Sequence, residues 1–192
     1  MPAASKAKAM FLPETSQEQR FDILLDSETR KKLRFLAICC QEVANELGKG
    51  HTEKVYQEAL SIELQKHNIF HIMEQVLPIV YKGHQIGGNH SMRLDICLQN
   101  YLDFIYECKA TCTPVKQSEL WQIIRYLKIK QYEYGAVVNF NQSQTGKLEI
   151  QFIVHVEGKY YLYDFLKQDG IVLNDFSLDS EIDFSPVIVE EC

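Results

Sequence analysis

The sequence contains no apolar run of roughly 18 residues, the length that a membrane-spanning helix needs. Its N-terminal segment also lacks the apolar central run of a secretory signal. The six cysteines form no C-x-x-C pair, and four of them lie in periodic apolar segments, where free cysteine behaves as a small hydrophobe. We therefore expect an intracellular, reducing compartment, cytoplasmic or nuclear, and no membrane partner.

Signatures of zinc and nucleotide sites are missing as well. The six histidines occur in no H-E-x-x-H motif and at no Cys/His ligand spacing, which argues against the common zinc sites. Gly83, Gly87 and Gly88 do not precede a helix, as the glycines of a dinucleotide-binding loop would. A cysteine nucleophile with a histidine base stays open, although no particular pair stands out.

The composition that remains is that of one ordinary globular domain, with 192 residues, 46% hydrophobic and 24% charged. The net charge is −6, but residues 164–192 carry −7, so residues 1–163 carry +1. Because the acidity belongs to the tail, the charge does not exclude a nucleic-acid partner. Basic residues such as Arg125 and Lys128 fit either a phosphate-binding surface or a solvated helix face.

Three segments are predicted. Residues 1–27 form a mobile N-terminal arm, residues 28–165 the folded domain, and residues 166–192 an acidic C-terminal extension. The extension is either solvated or folds over a basic helix as a mimic of a phosphate backbone. In the second case, deleting the residues after Phe165 should raise nucleic-acid affinity, and unchanged binding at low salt would exclude the mimicry.

Hydrophobic periodicity predicts the elements of the domain. Helices are expected over 28–47, closed by Gly48-Lys49-Gly50, over about 52–67, and from Pro114 to about residue 132. Strands are expected over 72–82, 91–98, 102–110, 134–140, 148–156 and 160–165. This order predicts an α/β fold with a mixed central sheet flanked by helices.

Two of these strands combine an apolar side with a side of ionisable groups. Arg93 and Asp95 share one face of the first strand, and Glu107 and Lys109 share one face of the second. If the strands form a hairpin with an odd loop centred on Tyr101, all four side chains lie on the same face. The alternative is a half-solvated sheet in which they form exposed cross-strand pairs.

Glu53 favours a functional role for these charges. The residues three, seven and eleven positions later are Tyr56, Leu60 and Leu64, so the Glu53 carboxylate projects from the stripe that faces the sheet. The polar side of this helix carries Lys54, Glu58 and Ser61. A carboxylate at the start of a helix is also favoured by the helix dipole, which explains its position but not its burial.

Three carboxylates and a lysine that converge from a helix and two strands fit a magnesium site. Magnesium prefers oxygen ligands, keeps several waters and completes its shell with phosphate oxygens. It lowers the pKa of a bound water and neutralises charge that develops on phosphate, while a nearby lysine stabilises the same charge. The residues therefore predict metal-dependent chemistry on phosphate.

The segment Gly50-His51-Thr52-Glu53-Lys54-Val55-Tyr56 resembles the G-x-x-E-x-x-Y signature of the GxxExxY family, which is assigned to the PD-(D/E)xK nuclease superfamily. Further matches follow in the expected order, at Glu74 and at residues 78–83, 93–95, 107–110, 113–115, 122–128 and 135–139. The resemblance covers roughly residues 33–156.

This resemblance implies a restriction-endonuclease-like core of helix, three strands, helix and strand, with phosphodiester hydrolysis that depends on Mg²⁺ or Mn²⁺. It implies that Asp95, Glu107 and the Cys108 backbone carbonyl bind the metal, and that Glu53 supports the metal or its waters. Lys109 would orient the water or stabilise the phosphorane, and Gln122 is the polar residue of the following helix. We add Arg93, Arg125 and Lys128 as nucleic-acid contacts, and expect pairing of two copies, which is common among related nucleases.

The sequence thus favours a metal-dependent nuclease that acts on DNA. The alternatives are a catalytically silent module of the same fold that binds nucleic acid or a protein, and a purely structural scaffold. Trp121, Tyr126 and Tyr132 are expected to pack the third helix rather than to stack on bases.

Overall fold

The computed structural model describes residues 25–87, 92–156, 158–164 and 187–189. These residues form the helices α1 (Ser27–Leu47), α2 (Glu53–Lys66) and α3 (Gln117–Lys130). They also form the strands β1 (His71–Leu77), β2 (Ile79–Tyr81), β3 (His84–Ile86), β4 (Met92–Leu98), β5 (Phe104–Lys109), β6 (Tyr134–Asn139), β7 (Glu149–Val156), β8 (Lys159–Asp164) and β9 (Val187–Val189). Most of the predicted arm and extension lies outside the described residues.

Helices α1 and α2 begin and end close to the predicted positions. Asp26 caps α1, since its Oδ1 accepts a 2.8 Å hydrogen bond from the Thr29 amide. Gly48 ends the helix at a φ of 63°, which costs glycine little because it has no Cβ. Leu25, within the segment predicted as an arm, is 1% exposed. The packed structure therefore already includes residues 25–27.

The main sheet has seven strands in the order β1-β4-β5-β6-β7-β8-β9 among the described residues. Every neighbouring pair is antiparallel except β5 and β6, which are parallel and are connected through α3. A parallel pair needs such a crossover connection, because a tight turn cannot return the chain to the same end. The predicted mixed sheet with flanking helices is confirmed.

Helices cover both faces of the sheet. On one face α1 and α2 bury a cluster that includes Leu36, Tyr56, Leu60 and Leu64, all 0% exposed. On the other face α3 packs through a second cluster around Ile123. Burial of each large apolar side chain contributes roughly 1.5–3 kcal/mol. The result is a three-layer α/β/α arrangement in which β5 and β6 are shielded from solvent on both faces.

The strand predicted over 72–82 is confirmed as far as Leu77, but its continuation to residue 82 is wrong, because the chain breaks at Pro78 into two strands of different sheets. Proline has no amide hydrogen to donate to a ladder, so β1 ends at Leu77 as an edge strand of the main sheet. The next residues form a separate two-stranded ribbon of β2 and β3. Its turn has positive φ at Lys82 (48°) and Gly83 (81°).

The predicted start of the third helix at Pro114 is also wrong, because α3 begins at Gln117. Tertiary hydrogen bonds hold the preceding residues outside the helix. The Asn139 side chain accepts from the Thr111 amide and donates to the Thr113 carbonyl, and a Glu149 carboxylate oxygen accepts from the Val115 amide. These partners are distant in sequence, so local periodicity does not reveal them.

Ser61 is a smaller correction, since it is 5% exposed rather than on the polar side of α2. Its Oγ lies 2.7 Å from Nε2 of His71, which fixes the start of β1 against the helix.

In the predicted extension, Val187–Val189 form β9 and pair with β8. No helix in the described part of the chain has both the length and the apolar character to cross a bilayer.

Candidate active site

The predicted site lies where the β4–β5 ladder opens. The strands pair at Ile96↔Tyr106 and Cys97↔Ile105, which centres the hairpin on Tyr101 as the sequence predicted. One residue further, Asp95 stands opposite Glu107, but the ladder has ended. Asp95 Oδ2 instead accepts a 2.7 Å hydrogen bond from the Cys108 amide. A carboxylate therefore takes the place that a backbone carbonyl would occupy in a regular sheet.

The opened ladder also exposes the Cys108 carbonyl to the gap. In a strand, the amide and carbonyl of one residue point to the same side. Since the Cys108 amide reaches Asp95, its carbonyl faces the same gap between β4 and β5. The Cys108 side chain itself is 0% exposed and packs in the core with α1 and α2, so only its backbone is available to the site.

Glu107 is held by two donors on one of its oxygens. Its Oε1 accepts from Lys109 Nζ at 2.6 Å and from Gln122 Nε2 at 2.7 Å. Its Oε2 is buried and has no hydrogen-bond partner among the described residues. Because an unsatisfied buried carboxylate oxygen is costly, it marks a place where a cation or a donor is expected to bind.

Helix α2 brings Glu53 to the same place from the other layer. Glu53 Oε2 lies 3.9 Å from Lys109 Nζ, with its side chain 41% exposed. The ammonium group thus forms ion pairs with both Glu53 and Glu107. Asp95 and Glu107 are 8% and 3% exposed, so these two residues do not form the exposed cross-strand pairs of the alternative interpretation.

The glycine and tyrosine of the G-x-x-E-x-x-Y motif position this helix. The Gly50 amide donates to Gln142 Oε1 at 2.6 Å, and Gln142 Nε2 in turn donates to the Tyr56 hydroxyl at 3.0 Å. The same hydroxyl donates to the Gly48 carbonyl at 2.8 Å, and the ring stacks on Phe140 at 4.4 Å between centroids. These contacts connect the turn before α2 to the segment after β6. They therefore fix the start of α2 and the position of Glu53, its first residue.

Burial and mutual repulsion set the protonation of the carboxylates. Burial, reinforced by the charge of Asp95, raises the pKa of Glu107 to about 7. Burial also raises the pKa of Asp95, although the hydrogen bond from Cys108 opposes it. For Lys109, burial by itself lowers the pKa, but the charge and hydrogen bond of Glu107 outweigh it, and the pKa is raised. The site therefore combines a permanently charged ammonium with acids that are reluctant to ionise without a further cation.

The three predicted nucleic-acid contacts lie on two elements, Arg93 on β4 and Arg125 and Lys128 on α3. Arg93 is 61% exposed, and its guanidinium donates to Glu74 Oε2 at 3.1 Å. Glu74 also forms an ion pair with Lys54 at 3.2 Å. Its backbone has a positive φ of 54°, and its position on β1 is opposite Asp95 on β4. Arg125 and Lys128 are exposed on α3, about 60° and 120° around the helix from Gln122.

The donor set fits a divalent cation of the magnesium type. Among the described residues, no three acidic, histidine or cysteine side chains converge closely enough to form a complete ligand cage. A hard cation that keeps several waters needs fewer protein ligands, and two carboxylates with a backbone carbonyl suit it. The orphaned Glu107 Oε2 and the raised pKa values of both acids are the features that such a cation would relieve.

Two polar residues at this site were missed. Tyr126, predicted only to pack α3, accepts from Gln122 Nε2 at 2.9 Å and donates to the Arg93 carbonyl at 2.9 Å. Gln57 is 3% exposed, and its side chain acts as a donor that lowers the pKa of Asp95. Tyr126 lies four positions after Gln122 on α3, and Gln57 lies four positions after Glu53 on α2. This spacing places each pair on one helix face and is the signal that could have identified the two residues.

The family comparison agrees with this geometry. A model of the PD-(D/E)XK nuclease superfamily matches residues 31–153 of the chain. The matched region runs from α1 to β7 and contains every residue of the site described above. Neither the curated proteins nor the solved structures gave a match.

Proposed function

The chain belongs to the PD-(D/E)XK nuclease superfamily, and we propose that it is a divalent-metal-dependent nuclease that hydrolyses phosphodiester bonds in DNA. The single observation that carries the proposal is the opened β4–β5 ladder, where Asp95 and Glu107 face each other beside the Lys109 ammonium. Such a set of groups is expensive to bury and contributes little to folding, so its retention points to chemistry.

Each side chain has a distinct role in this proposal. Asp95, Glu107 and the Cys108 carbonyl hold the cation, for which Mg²⁺ or Mn²⁺ is the candidate, and Glu53 holds its waters. When bound, the cation supplies a water of lowered pKa and neutralises charge on the phosphate. Lys109 stays protonated and stabilises the negative charge that grows on the phosphate oxygens. Gln122 fixes Glu107 through Oε1, which leaves Oε2 for the cation.

The charge distribution near the site supports a polyanionic substrate. Residues 75–94 contain Lys82 and Arg93 but no acid, in a chain with 26 acidic residues. This segment includes the β2–β3 ribbon, which leaves the sheet between Leu77 and Met92. If the β4–β5 register is continued, Arg93 is level with Lys109, so the ribbon leaves the sheet next to the ammonium. A ribbon that carries Lys82 and no acid, beside the site, suits a nucleic-acid backbone.

Arg93 and Arg125 are the phosphate contacts that we favour, because both are exposed and lie near elements of the site. Lys128 belongs to the same proposal but lies further around α3. The narrower assignment to the GxxExxY family, an intracellular location and pairing of two copies also stay part of the proposal. They are supported by the motif Gly50–Tyr56 and by the sequence features already described.

Cleavage assays test the proposal directly. Single-stranded, duplex and branched DNA, with RNA in parallel, should be incubated with Mg²⁺, Mn²⁺ or a chelator. We expect cleavage of at least one DNA substrate that requires the metal and is lost in Lys109→Ala. If the protein binds DNA but cuts none of these substrates, the catalytically silent module is the better description. If RNA alone is cut, the hydrolytic site stands and the DNA assignment is wrong.

A further inference from the structure

Two buried side-chain oxygens have no hydrogen-bond partner in the described part of the chain, and both belong to neighbours of Asp95. One is Glu107 Oε2, which the proposed metal site explains. The other is Gln57 Oε1, on a side chain that is only 3% exposed. A buried carbonyl oxygen without a donor costs roughly 1–3 kcal/mol, so its persistence needs an explanation.

The NH₂ group of Gln57 sets the direction of its side-chain amide. The Gln57 side chain acts on the Asp95 carboxylate as a donor, and this interaction lowers the pKa of Asp95 against the effect of burial. With the NH₂ group committed to Asp95, the Oε1 atom is the end that lacks a partner. A flipped amide would bring two oxygens together and leave the carboxylate without its donor, so the observed direction is the favourable one.

Gln57 also lies on the face of α2 that serves the site. It follows Glu53 by four residues, and side chains at this spacing lie one above the other on one face of a helix. Glu53 reaches the Lys109 ammonium, and Gln57 reaches Asp95. One helix face therefore contributes two polar side chains to the opened ladder, and only the first was predicted from the sequence.

We propose that Gln57 contributes its amide oxygen to the divalent-cation site, as a donor to the cation or to a water in its shell. This inference rests on the proposed metal-dependent function. An amide oxygen is a hard, neutral ligand of the kind that Mg²⁺ and Mn²⁺ accept. It adds a donor without adding a third buried negative charge beside Asp95 and Glu107. The cation would in turn satisfy both orphaned oxygens.

The test compares metal affinity with metal-free stability. Gln57→Met keeps the length of the side chain but removes both polar ends, and Gln57→Glu keeps an acceptor oxygen. Gln65→Met is the matched control, because Gln65 is an exposed glutamine on the same helix. For each folded variant, Mn²⁺ binding is measured by isothermal titration calorimetry, and Tm is measured in chelator.

We expect Gln57→Met to weaken Mn²⁺ binding by about 10- to 100-fold, the range found when residues that support metal ligands are replaced. Its metal-free Tm should stay near that of the wild type, because the unsatisfied oxygen and the donor to Asp95 are removed together. Gln57→Glu should bind Mn²⁺ at least as tightly as the wild type, and Gln65→Met should change neither value. Wild-type affinity in Gln57→Met overturns the inference, whatever happens to its stability. If that variant does not fold, weaker binding by Gln57→Glu overturns it.

The inference and the proposed function fail in different ways. If the wild type cleaves DNA with metal and Gln57→Met binds Mn²⁺ normally, only the inference is wrong. If the wild type binds Mn²⁺ through Gln57 but hydrolyses no substrate, the inference stands and the nuclease activity is wrong. If the wild type binds no Mn²⁺ at all, both are wrong.

Discussion

The two ends of the β4–β5 hairpin differ in how their residues are stabilised. Toward Tyr101 the strands are hydrogen-bonded, and Ile96 and Tyr106 are buried in the apolar core at 0% exposure. At the other end the ladder is open, and Asp95 and Glu107 meet with raised pKa values and an unsatisfied oxygen. The paired end stabilises the fold, whereas the open end is destabilising without a cation. This difference separates residues that stabilise the fold from residues that, in the proposed function, bind the cation.

The largest effect is expected from Lys109→Ala at the open end. Loss of the ammonium should lower DNA cleavage by about 10²–10³-fold, the usual cost of removing one group that stabilises a charged transition state. The folded protein should persist, since the Lys109 ion pairs lie at the margin of the core. The initial rate of cleavage and the Tm are the measurements. Lys31→Ala, on an exposed part of α1, is the control and should cleave at the wild-type rate.

At the paired end, Ile96→Ala should act on stability instead. Removal of this fully buried side chain should lower the free energy of unfolding by about 3 kcal/mol, through lost burial and a cavity. Cleavage per folded molecule should be unchanged at a temperature well below Tm. Ile62→Ala is the control, because Ile62 is 57% exposed and should cost less than about 0.5 kcal/mol. Denaturant unfolding measures the free energies of unfolding of both variants. If Ile96→Ala lost catalysis without losing stability, the distinction between the two ends of the hairpin would be wrong.

The pH dependence of the open end follows from Glu107. Its pKa is raised from 4.5 to about 7, so the metal-free folded protein retains a proton that the unfolded chain loses at lower pH. The resulting stability is fully present below pH 4.5 and is lost as the pH rises to 7, by at most about 3 kcal/mol. Calorimetric Tm values in chelator between pH 5 and 8 measure this trend, which Glu107→Gln should reduce.

The same proton competes with the cation. Below pH 7 the affinity for Mn²⁺ should rise by up to about tenfold per pH unit, and above pH 7 it should level off. Titrations at pH 6, 7 and 8 measure this rise. For a variant of the other acid, Asp95→Asn is preferred to Asp95→Gln, because the asparagine side chain keeps an acceptor for the Cys108 amide. An affinity that does not change with pH would mean that Glu107 is not a ligand.

The smallest effect is expected on the β2–β3 ribbon. Lys82→Ala should weaken DNA binding by a few-fold and reduce its salt dependence by about one counterion, since Lys82 is exposed at the ribbon turn. Binding is measured in Ca²⁺ at two salt concentrations. Lys159→Ala, exposed at the start of β8 on the far side of the sheet, is the matched control. Equal losses in both variants would indicate general electrostatic attraction rather than a substrate path over the ribbon.

Much of this comparison was predictable from the sequence because it depends on local periodicity. The helical stripe Tyr56–Leu64 and the alternation of Asp95 and Glu107 fix which side chains share a face, and the position of Tyr101 fixes the register. The opening of the ladder was not predictable. It depends on a side-chain oxygen that reaches a backbone amide 13 residues away, and no local pattern encodes that contact.

The errors have the same physical origin. The start of α3 was misplaced because Asn139 and Glu149, from other strands, bind the preceding residues and keep them out of the helix. Gln57 was overlooked because a glutamine in an apolar stripe gives no sign of what it contacts until α2 is packed on the sheet. Periodicity predicts which elements form, while long-range polar contacts decide where they end and which side chains meet.

Anomalous diffraction from crystals soaked in Mn²⁺ shows where the cation binds. We expect a manganese peak in the gap between β4 and β5, at coordination distance from the carboxylates of Asp95 and Glu107 and from the Cys108 carbonyl. If the protein cleaves DNA with Mn²⁺ but its crystals show no manganese in this gap, or show it bound elsewhere, the proposed metal site is wrong.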